Sequence, residues 1–337
     1  MKNFKQIAKW SFLAFLIVAT IFILRNHSAS MQSSVEYRDC AGNIFGTTYK
    51  VVYQHEQDLS TDIIRVLNDV DGSLSLFNQQ STLVRINNHL TDTMDAMMQE
   101  VFMLSQQVSE ATNGAFDCTV APAVDAWGFG FKNREFITDA KIDSLKTLIG
   151  YRKVSMSEDG VIHRECDGLR MDFGAVAKGF GVDKVAEMLR FKGVENMMVE
   201  IGGEVVVAGV RADGNLWKIA VQNPKENGYN AVLSLSNKAM ATSGNYFNYY
   251  VNEQGVRVAH TISPFTAKPV THSLLSVTVM APTCAIADAY ATSFMVMGYE
   301  DARQILENHP ELGAYFICAK GEEVETFAIN FEVDGNF

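Results

Sequence analysis

The stretch from Met171 to Val185 reads MDFGAVAKGFGVDKV. It combines the end of a buried strand, a turn of small residues, and a helix with Lys178 near its start. A helix start of this kind attracts anions, because its free backbone N–H groups and its dipole both favour negative charge. The stretch is not a P-loop, since no Gly-Lys-Ser/Thr ends it, and Lys184 stands where a dinucleotide fingerprint needs its third glycine. The pattern therefore predicts an anion-binding helix start or, alternatively, a tight strand-to-helix turn with a solvated lysine.

Composition places the chain among globular proteins. It has 337 residues, of which 47% are hydrophobic, enough to build a substantial core. The 28 Lys and Arg residues against 39 Asp and Glu give a net charge of −11. Because nucleic-acid surfaces need clustered basic residues, we expect no nucleic-acid partner.

The first thirty residues have a different character from the rest. Lys2, Lys5 and Lys9 precede an apolar run from Trp10 to Leu24, and small polar residues follow it. This order indicates an export signal, with a buried core helix as the alternative. We expect residues 1–30 to be a signal peptide or, if the apolar run is slightly extended, an N-terminal membrane anchor. Residues 31–337 would then form a single domain.

The five cysteines form no CxxC pair and show no tight spacing. This argues against a zinc or iron–sulfur site and leaves at least one thiol unpaired. Whether any two of them pair stays open at this point.

Periodicity indicates an α+β fold. Residues 43–54 alternate like a strand with a bend at Gly46, and apolar spacing predicts a helix beginning near residue 58 and another over 93–113, stopped by Gly114. Further along, hairpin turns separate short strands, and helices are predicted at about 175–191 and 284–297. Antiparallel hairpins mixed with isolated helices favour α+β over a regular βαβ arrangement.

The segment CAIADAYATSFMVMG, residues 284–298, carries a second chemical signal. Asp288 and Thr292 are four residues apart, and so lie on one face of the predicted helix. A carboxylate in an apolar helix needs a partner, and carboxylate, hydroxyl and phosphate oxygens suit Mg²⁺. The alternative is an aspartate hydrogen-bonded to a neighbouring loop.

Several other segments are weak signals individually. A lone histidine, for example, is more often packed or at the surface than catalytic. The segments are a hydroxyl-rich bend at Thr242 and Ser243, His260 before a proline-marked turn, Asp117 and Thr119 after a helix-ending glycine, and the pair Gly202 and Gly203. Glycine pairs let a backbone approach a ligand closely.

Taken in order, these segments resemble the ApbE family of flavin transferases, also called FAD:protein FMN transferases. The resemblance runs from FGTTYKV at residue 45 to FAINF near residue 331. It includes SLFNQQSTLVRIN, GAFDCTVAPAVDAWGFG, MDFGAVAKGFGVDKVAEML, IGGEVVVAG, WKIAVQNP, ATSGNYFNYY, AHTISPFTAKPV and ADAYATSFMVMG. The resemblance implies a single ApbE-like domain over residues 31–337. Its fold would be an α+β, T-fold-like arrangement of antiparallel sheets with packed helices and an FAD site between them.

The resemblance also implies roles for individual residues. The metal ligands would be Asp288, Thr292 and the carbonyl of Ala175, and Lys178 would lie near the FAD phosphates. His260 would stand at the reaction centre. Cofactor contacts would come from Phe45, Phe77, which packs on the flavin, Asp117, Thr119, Gly202, Gly203, Thr242 and Ser243.

The implied activity is Mg²⁺-dependent transfer of FMN from the substrate FAD to a Ser or Thr hydroxyl, with release of AMP. The implied acceptor carries a Ser/Thr-Gly-Ala-Ser/Thr motif on a subunit of a membrane redox complex, and the export signal suits the periplasmic side of the inner membrane. Two alternatives remain open: an FAD pyrophosphatase, in which water replaces the acceptor hydroxyl, and a non-catalytic flavin-binding protein.

Overall fold

A computed structural model of the chain describes residues 36–130, 136–225, 228–245, 249–251, 257–333 and 335–336. The predicted signal peptide or anchor, residues 1–30, lies outside the described residues. Tyr37–Phe337 form one compact unit.

The strands of the described residues build one large antiparallel sheet and four small ones. They are β1 Tyr37–Ile44, β2 Thr47–Gln54, β3 Val154–Met156, β4 Ile162–Arg164, β5 Met197–Ile201, β6 Glu204–Ala208, β7 Trp217–Gln222, β8 Tyr229–Leu235, β9 Lys238–Gly244, β10 Tyr249–Val251, β11 Arg257–Ala259, β12 Ile262–Ser263, β13 Lys268–Pro269, β14 Leu274–Ala281, β15 Gly313–Lys320, β16 Glu323–Ile329 and β17 Gly335–Asn336. The large sheet has the order β1-β2-β5-β6-β9-β14-β15-β16, and every neighbouring pair in it is antiparallel. The small sheets are β17-β8-β7, β10-β11, β12-β13 and β3-β4.

Helices pack against one side of the large sheet, except for two that pack together beside β12. They are α1 Ser60–Leu74, α2 Thr82–Asn87, α3 Ala96–Ala111, α4 Ala121–Ala126, α5 Asp139–Leu148, α6 Ala177–Phe191, α7 Cys284–Met297 and α8 Tyr299–Asn308, with a 3₁₀ turn at Tyr151–Lys153. The prediction of an α+β fold is confirmed by this mixture of packed helices and antiparallel sheets.

Strand β6 shows why the large sheet lies in the middle of the molecule. All five of its residues are buried, so it reads as a continuous apolar run instead of an alternating one. Val206 packs among the residues under α1 and α6, whereas Val205 and Val207 pack with Trp217 and Leu233 of the three-stranded sheet. The large sheet is therefore covered by helices on one face and by a second sheet on the other.

The predicted strand over residues 43–54 is in fact the end of β1, a tight turn and β2. Phe45 and Gly46 form the turn with φ angles of 50° and 73°. Positive φ at both central residues is what a two-residue hairpin requires to match the strand twist. A Cβ atom on Gly181 would come within 2.7 Å of the Phe45 ring, so the turn lays that ring directly against α6.

The helix predicted over residues 93–113 is shorter in the structure. Thr93 pairs with Val161 in an isolated β-bridge, and the Asp95 side chain caps α3 by accepting a hydrogen bond from the N–H of Met98. The C-terminal end of the helix agrees with the prediction from Gly114. This glycine has a φ of 88° and follows the last turn, and its N–H donates a hydrogen bond to the Ser109 carbonyl.

Helices α6 and α7 cross in close contact. A Cβ atom on Gly179 would lie 2.3 Å from the carbonyl oxygen of Cys284, so only glycine permits this approach. One turn further along α6, the Asp183 carboxylate accepts hydrogen bonds from the N–H groups of Cys284 and Ala285, at 2.9 and 2.8 Å. Helix α6 thus caps the first turn of α7 and fixes the two helix starts against each other.

Two further observations concern the described part of the chain. Among the described residues, no helix combines the length and apolar character needed to cross a bilayer. All five cysteines lie in described segments and none forms a disulfide, so the question of their pairing is answered: four are buried free thiols and Cys166 is partly exposed.

Candidate active site

A cavity of about 1290 Å³ opens where the start of α6 and the middle of α7 meet the large sheet. Twelve of the thirteen residues predicted for the site line it. They are Phe45, Phe77, Asp117, Ala175, Lys178, Gly202, Gly203, Thr242, Ser243, His260, Asp288 and Thr292. Segments far apart in the chain therefore converge on one space, although their roles there stay predictions.

A lysine between two buried carboxylates forms the centre of the cavity. The Lys178 ammonium lies 3.2 Å from Oε1 of Glu204 and 3.6 Å from Oδ2 of Asp288. The side chains of Glu204 and Asp288 are 3% and 2% exposed, whereas that of Lys178 keeps 28% exposure. Lys178 is therefore the most exposed member of the cluster, with two buried carboxylates beside it.

Burial and charge act against each other in this cluster. Burial alone would lower the pKa of Lys178, but the carboxylates of Asp288 and Glu204 outweigh burial and raise it, so the lysine is firmly charged. Burial raises the pKa of Glu204, and the Lys178 ammonium opposes this rise. No donor among the described residues reaches the buried Oε2 of Glu204.

Asp288 and Thr292 face the cavity from adjacent turns of α7. The N–H of Gly179 donates to Oδ2 of Asp288 at 3.1 Å, and the hydroxyls of Thr292 and Ser243 lie 3.2 Å apart. Thr242 bonds instead to the Thr278 hydroxyl of β14, at 2.8 Å. A carboxylate and a hydroxyl on one helix face are the hard oxygen donors that Mg²⁺ accepts, so the residues present fit such an ion.

This donor set is sparse. No group of three or more His, Cys, Asp and Glu side chains suited to a metal ion occurs in the part of the chain that the structure describes. An ion at Asp288 would therefore need hydroxyl, carbonyl or substrate oxygens to complete its coordination. Mg²⁺ commonly binds in this way, through few carboxylates together with substrate phosphates.

The glycine pair forms the turn between β5 and β6. Gly202 and Gly203 have φ angles of 61° and 101°, and the Gly203 N–H donates to Oε1 of Glu200 at 2.7 Å. These angles exclude most side chains, so the cavity wall is bare backbone here. The same turn delivers Glu204, the next residue, into the cluster at Lys178.

The two phenylalanines predicted as cofactor contacts, Phe45 and Phe77, also line the cavity. Phe45 is held against α6 by its hairpin turn. Phe77 is 71% exposed, in a loop fixed by hydrogen bonds from the N–H groups of Phe77 and Asn78 to the Ser75 hydroxyl. An apolar ring so exposed at a cavity is suited to cover a flat ligand.

Asp117 and Thr119 are not equivalent. Asp117 lines the cavity, and its Oδ1 accepts from the N–H and hydroxyl of Thr119 at 2.8 and 2.7 Å. The Thr119 hydroxyl in turn accepts from the N–H of Gly150, and the side chain is fully buried. Thr119 therefore does not reach the cavity as predicted, because its hydroxyl is used to hold Asp117. Burial raises the pKa of Asp117, and these hydrogen bonds counteract the rise.

His260 lies just beyond β11 and lines the cavity. Its ring meets Phe129 edge-on, with centroids 6.3 Å apart, and Phe129 stacks on Tyr250 at 5.4 Å. The adjacent Thr261 hydroxyl donates to Asn245 at 2.7 Å. The histidine is thus oriented by aromatic packing and a fixed neighbouring backbone.

Sequence reasoning missed Glu204. The available signal was a single charged residue inside the apolar run IGGEVVVAGV, residues 201–210. Buried charges in such positions are paired or bind a ligand, so this glutamate was a candidate on physical grounds alone. Asp172, which also lines the cavity and accepts from the Gly174 N–H at 2.7 Å, was missed as well.

The cavity thus brings together a helix-start lysine, an Asp/Thr helix face and a glycine turn in an α+β protein. The chain belongs to the ApbE family, whose profile matches residues 45–316.

Two curated relatives share this assignment. The FAD:protein FMN transferase of Vibrio cholerae is 33% identical over 292 residues, covering 83% of this chain and 87% of the relative. The protein of the same name from Haemophilus influenzae is 33% identical over 308 residues, covering 86% and 88%.

Solved structures agree with the sequence matches. The flavin transferase ApbE from Vibrio cholerae superposes with a TM-score of 0.80 at 31% identity, over 87% of this chain and 97% of that one. The ApbE protein of Thermotoga maritima gives 0.78 at 26% identity, over 86% and 96%. The predictions of the ApbE family, of its fold and of a transferase enzyme are confirmed by these matches.

Proposed function

We propose that this protein transfers the FMN part of FAD to a Ser or Thr hydroxyl of another protein and releases AMP. The names of its relatives support the use of FAD and of a protein acceptor. The observation that carries the proposal is the cluster of Lys178, Asp288 and Glu204 beside Thr292 in one cavity of about 1290 Å³. A pyrophosphate needs a cation, hydroxyl or backbone donors and a metal ligand, and this cluster offers them together.

We propose Mg²⁺ as the metal, held by Asp288, Thr292 and the backbone carbonyl of Ala175. When bound, Mg²⁺ would supply charge neutralisation on the pyrophosphate and stabilise AMP as the leaving group. The hard oxygen character of Asp288 and Thr292 supports this choice over a softer metal.

The chain's own residues would bind and orient FAD. The Lys178 ammonium, held at the cavity surface, attracts the phosphate oxygens. Phe77, exposed at the rim, packs on the isoalloxazine ring, and the bare turn at Gly202 and Gly203 lets the ligand approach the backbone. Asp117, fixed by Thr119, accepts hydrogen bonds from the ligand.

The transfer step exchanges one phosphorus–oxygen bond for another. The acceptor hydroxyl oxygen attacks the phosphorus on the FMN side, and the bond to the AMP oxygen breaks. AMP leaves with that electron pair, while His260 accepts the hydroxyl proton as general base. The product is FMN linked to the acceptor by a phosphoester. The edge contact with Phe129 supports a fixed direction for the His260 ring.

The test combines the purified protein, FAD, Mg²⁺ and an acceptor domain with a Ser-Gly-Ala-Thr motif. Acceptor mass and free AMP are measured together, with EDTA as control. We expect a mass gain of one FMN, equimolar AMP, and loss of both in EDTA. AMP and free FMN without a labelled acceptor would identify a pyrophosphatase, and no AMP at all would leave a flavin-binding protein.

We further propose that the protein acts on the periplasmic side of the inner membrane, on a subunit of a membrane redox complex. The basic and apolar order of residues 1–30 supports export. Cell fractionation, with mass spectrometry of the mature N-terminus, tests this: recovery in the cytosol with residues 1–30 intact would contradict it.

A further inference from the structure

We infer that Glu204 is a positioning residue that holds Lys178 away from Asp288, leaving the aspartate able to bind a metal ion. This inference rests on the proposed function, because it assigns the metal to Asp288. Glu204 has no assigned role in the resemblance or in the predicted set, and the geometry points to it independently.

The burial of Glu204 costs free energy. Its side chain is 3% exposed, and no donor in the described residues reaches its Oε2. Burying a carboxylate with one unsatisfied oxygen costs free energy, and replacing a whole buried ion pair with apolar residues of similar volume is often neutral or stabilising. A contribution to stability therefore does not explain why a glutamate stands at this position. A role in positioning the charged Lys178 side chain does explain it.

The carboxylates of Glu204 and Asp288 compete for the Lys178 ammonium. It lies 3.2 Å from Oε1 of Glu204 and 3.6 Å from Oδ2 of Asp288, on a flexible four-carbon stem. If Glu204 lost its charge, Asp288 would be the only carboxylate left in this cluster to attract the ammonium. A closed Lys178–Asp288 pair would occupy the oxygen that the metal needs.

Glu204 is held in a rigid part of the structure. Glu204 is the first residue of β6 and pairs with Ile201 across a two-residue turn, and every residue of β6 is buried. Lys178 starts α6, whose contact with α7 is fixed by Gly179. The glutamate therefore sits on the central sheet, while the two groups that it separates sit on the crossing helices.

A double-mutant cycle on Mn²⁺ binding, measured by electron paramagnetic resonance without FAD, tests the inference. We expect Glu204→Gln to weaken Mn²⁺ binding at least about tenfold, as loss of a close desolvated charge partner does. In the Lys178→Met background the same change should have an effect below about twofold, because no ammonium remains to be positioned. That double variant removes the Glu204–Lys178 pair as a whole, which costs less stability than leaving one of its two charges buried alone.

Glu200→Gln is the matched control. Glu200 lines the same cavity from the same hairpin but bonds to the Gly203 N–H instead of the lysine. We expect its loss to change Mn²⁺ affinity by less than about twofold, as for an exposed charge. Equal effects of the two glutamates would mean a general electrostatic contribution and would overturn the inference.

Two other results would also overturn it: an effect of Glu204→Gln that is the same with and without Lys178, or no Mn²⁺ binding by the wild-type protein. Its failure is separable from failure of the proposed function. A wild-type protein that labels its acceptor but shows an additive cycle rejects only the role of Glu204. A coupled cycle without acceptor labelling rejects only the transferase.

Discussion

The backbone N–H of Gly179 on α6 donates a hydrogen bond of 3.1 Å to Oδ2 of Asp288 on α7. The bond is possible because Gly179 has no side chain at the point where the helices cross. It links the helix that carries Lys178 to the helix that carries Asp288 and Thr292. The site therefore depends on a helix crossing as much as on its charged groups.

Replacing Gly179 with alanine should separate the two helices. The new Cβ would fall 2.3 Å from the Cys284 carbonyl oxygen, a backbone atom that cannot rotate away. We expect a loss of about 1–3 kcal/mol in the free energy of unfolding, as for other overpacked cores. Urea denaturation measures it, together with Mn²⁺ affinity, which should fall.

Gly72→Ala provides the control, since Gly72 lies in α1 and a Cβ atom added there would meet nothing within 4 Å. That change should stabilise the protein by up to about 1 kcal/mol through helix propensity. If Gly179→Ala were equally harmless, the close crossing would not be what assembles the site.

Removing the Phe77 ring should weaken FAD binding without unfolding the protein. The ring is 71% exposed and so contributes little to the core, but it lines the cavity. Phe77→Ala should raise the Kd for FAD about twofold to thirteenfold, which corresponds to the energy of one aromatic contact. Flavin fluorescence titration measures it. Phe191→Ala, at a 90% exposed phenylalanine outside the cavity lining, should leave the Kd unchanged; a similar loss in both variants would remove Phe77 from the flavin site.

His260→Ala should separate chemistry from binding. If His260 is the general base, its loss should lower the rate of acceptor labelling by about 10²–10⁴-fold and leave FAD affinity close to that of the wild type. Mass spectrometry of samples quenched at successive times measures the labelling rate, and fluorescence titration measures the affinity for FAD. His163→Ala, at an exposed position on β4, is the control. Lost FAD binding in His260→Ala would make the histidine a structural part of the cavity instead.

Asp183 should make stability depend on pH. Burial raises the pKa of this carboxyl from 3.8 to about 6, although the N–H groups of Ala285 and Cys284 oppose the rise. The folded protein therefore holds the proton more tightly than the unfolded chain. The stabilising contribution is complete below the unfolded pKa and is lost as pH rises through about 6.

Comparison with Asp183→Asn isolates this group, because asparagine does not titrate. The free energy of unfolding of the wild type, relative to the variant, should fall by about 2 kcal/mol between about pH 4.5 and about pH 7.5. Urea denaturation over that range provides the measurement. A relative stability that rises with pH would show that the hydrogen bonds to α7 outweigh burial.

Local sequence patterns predicted the helices that carry the site. The prediction of a helix over residues 284–297 agrees with α7, because Thr283 caps its start and Gly298 ends it with a φ of 83°. Helix α6 begins at Ala177, two residues later than predicted, since Val176 adopts a non-helical conformation. Capping and apolar periodicity are local signals, so they can be recognised without the fold.

Contacts between distant parts of the chain could not be predicted from these local signals. The order of the eight-stranded sheet and the crossing at Gly179 depend on contacts between segments that no periodicity connects. The pairing of Glu204 with Lys178 was missed for the same reason, and Thr119 was placed at the ligand although it only supports Asp117. The resemblance to the family identified the segments of the cavity, and the structure shows which side chains in it contact one another.

The most direct test of this site is a crystal of the protein with FAD and Mn²⁺, measured at the manganese absorption edge. We predict an anomalous peak at coordination distance from Asp288 and Thr292, with the FAD pyrophosphate between that ion and the Lys178 ammonium. A manganese peak elsewhere, or a pyrophosphate remote from Lys178, would contradict the site described for this protein.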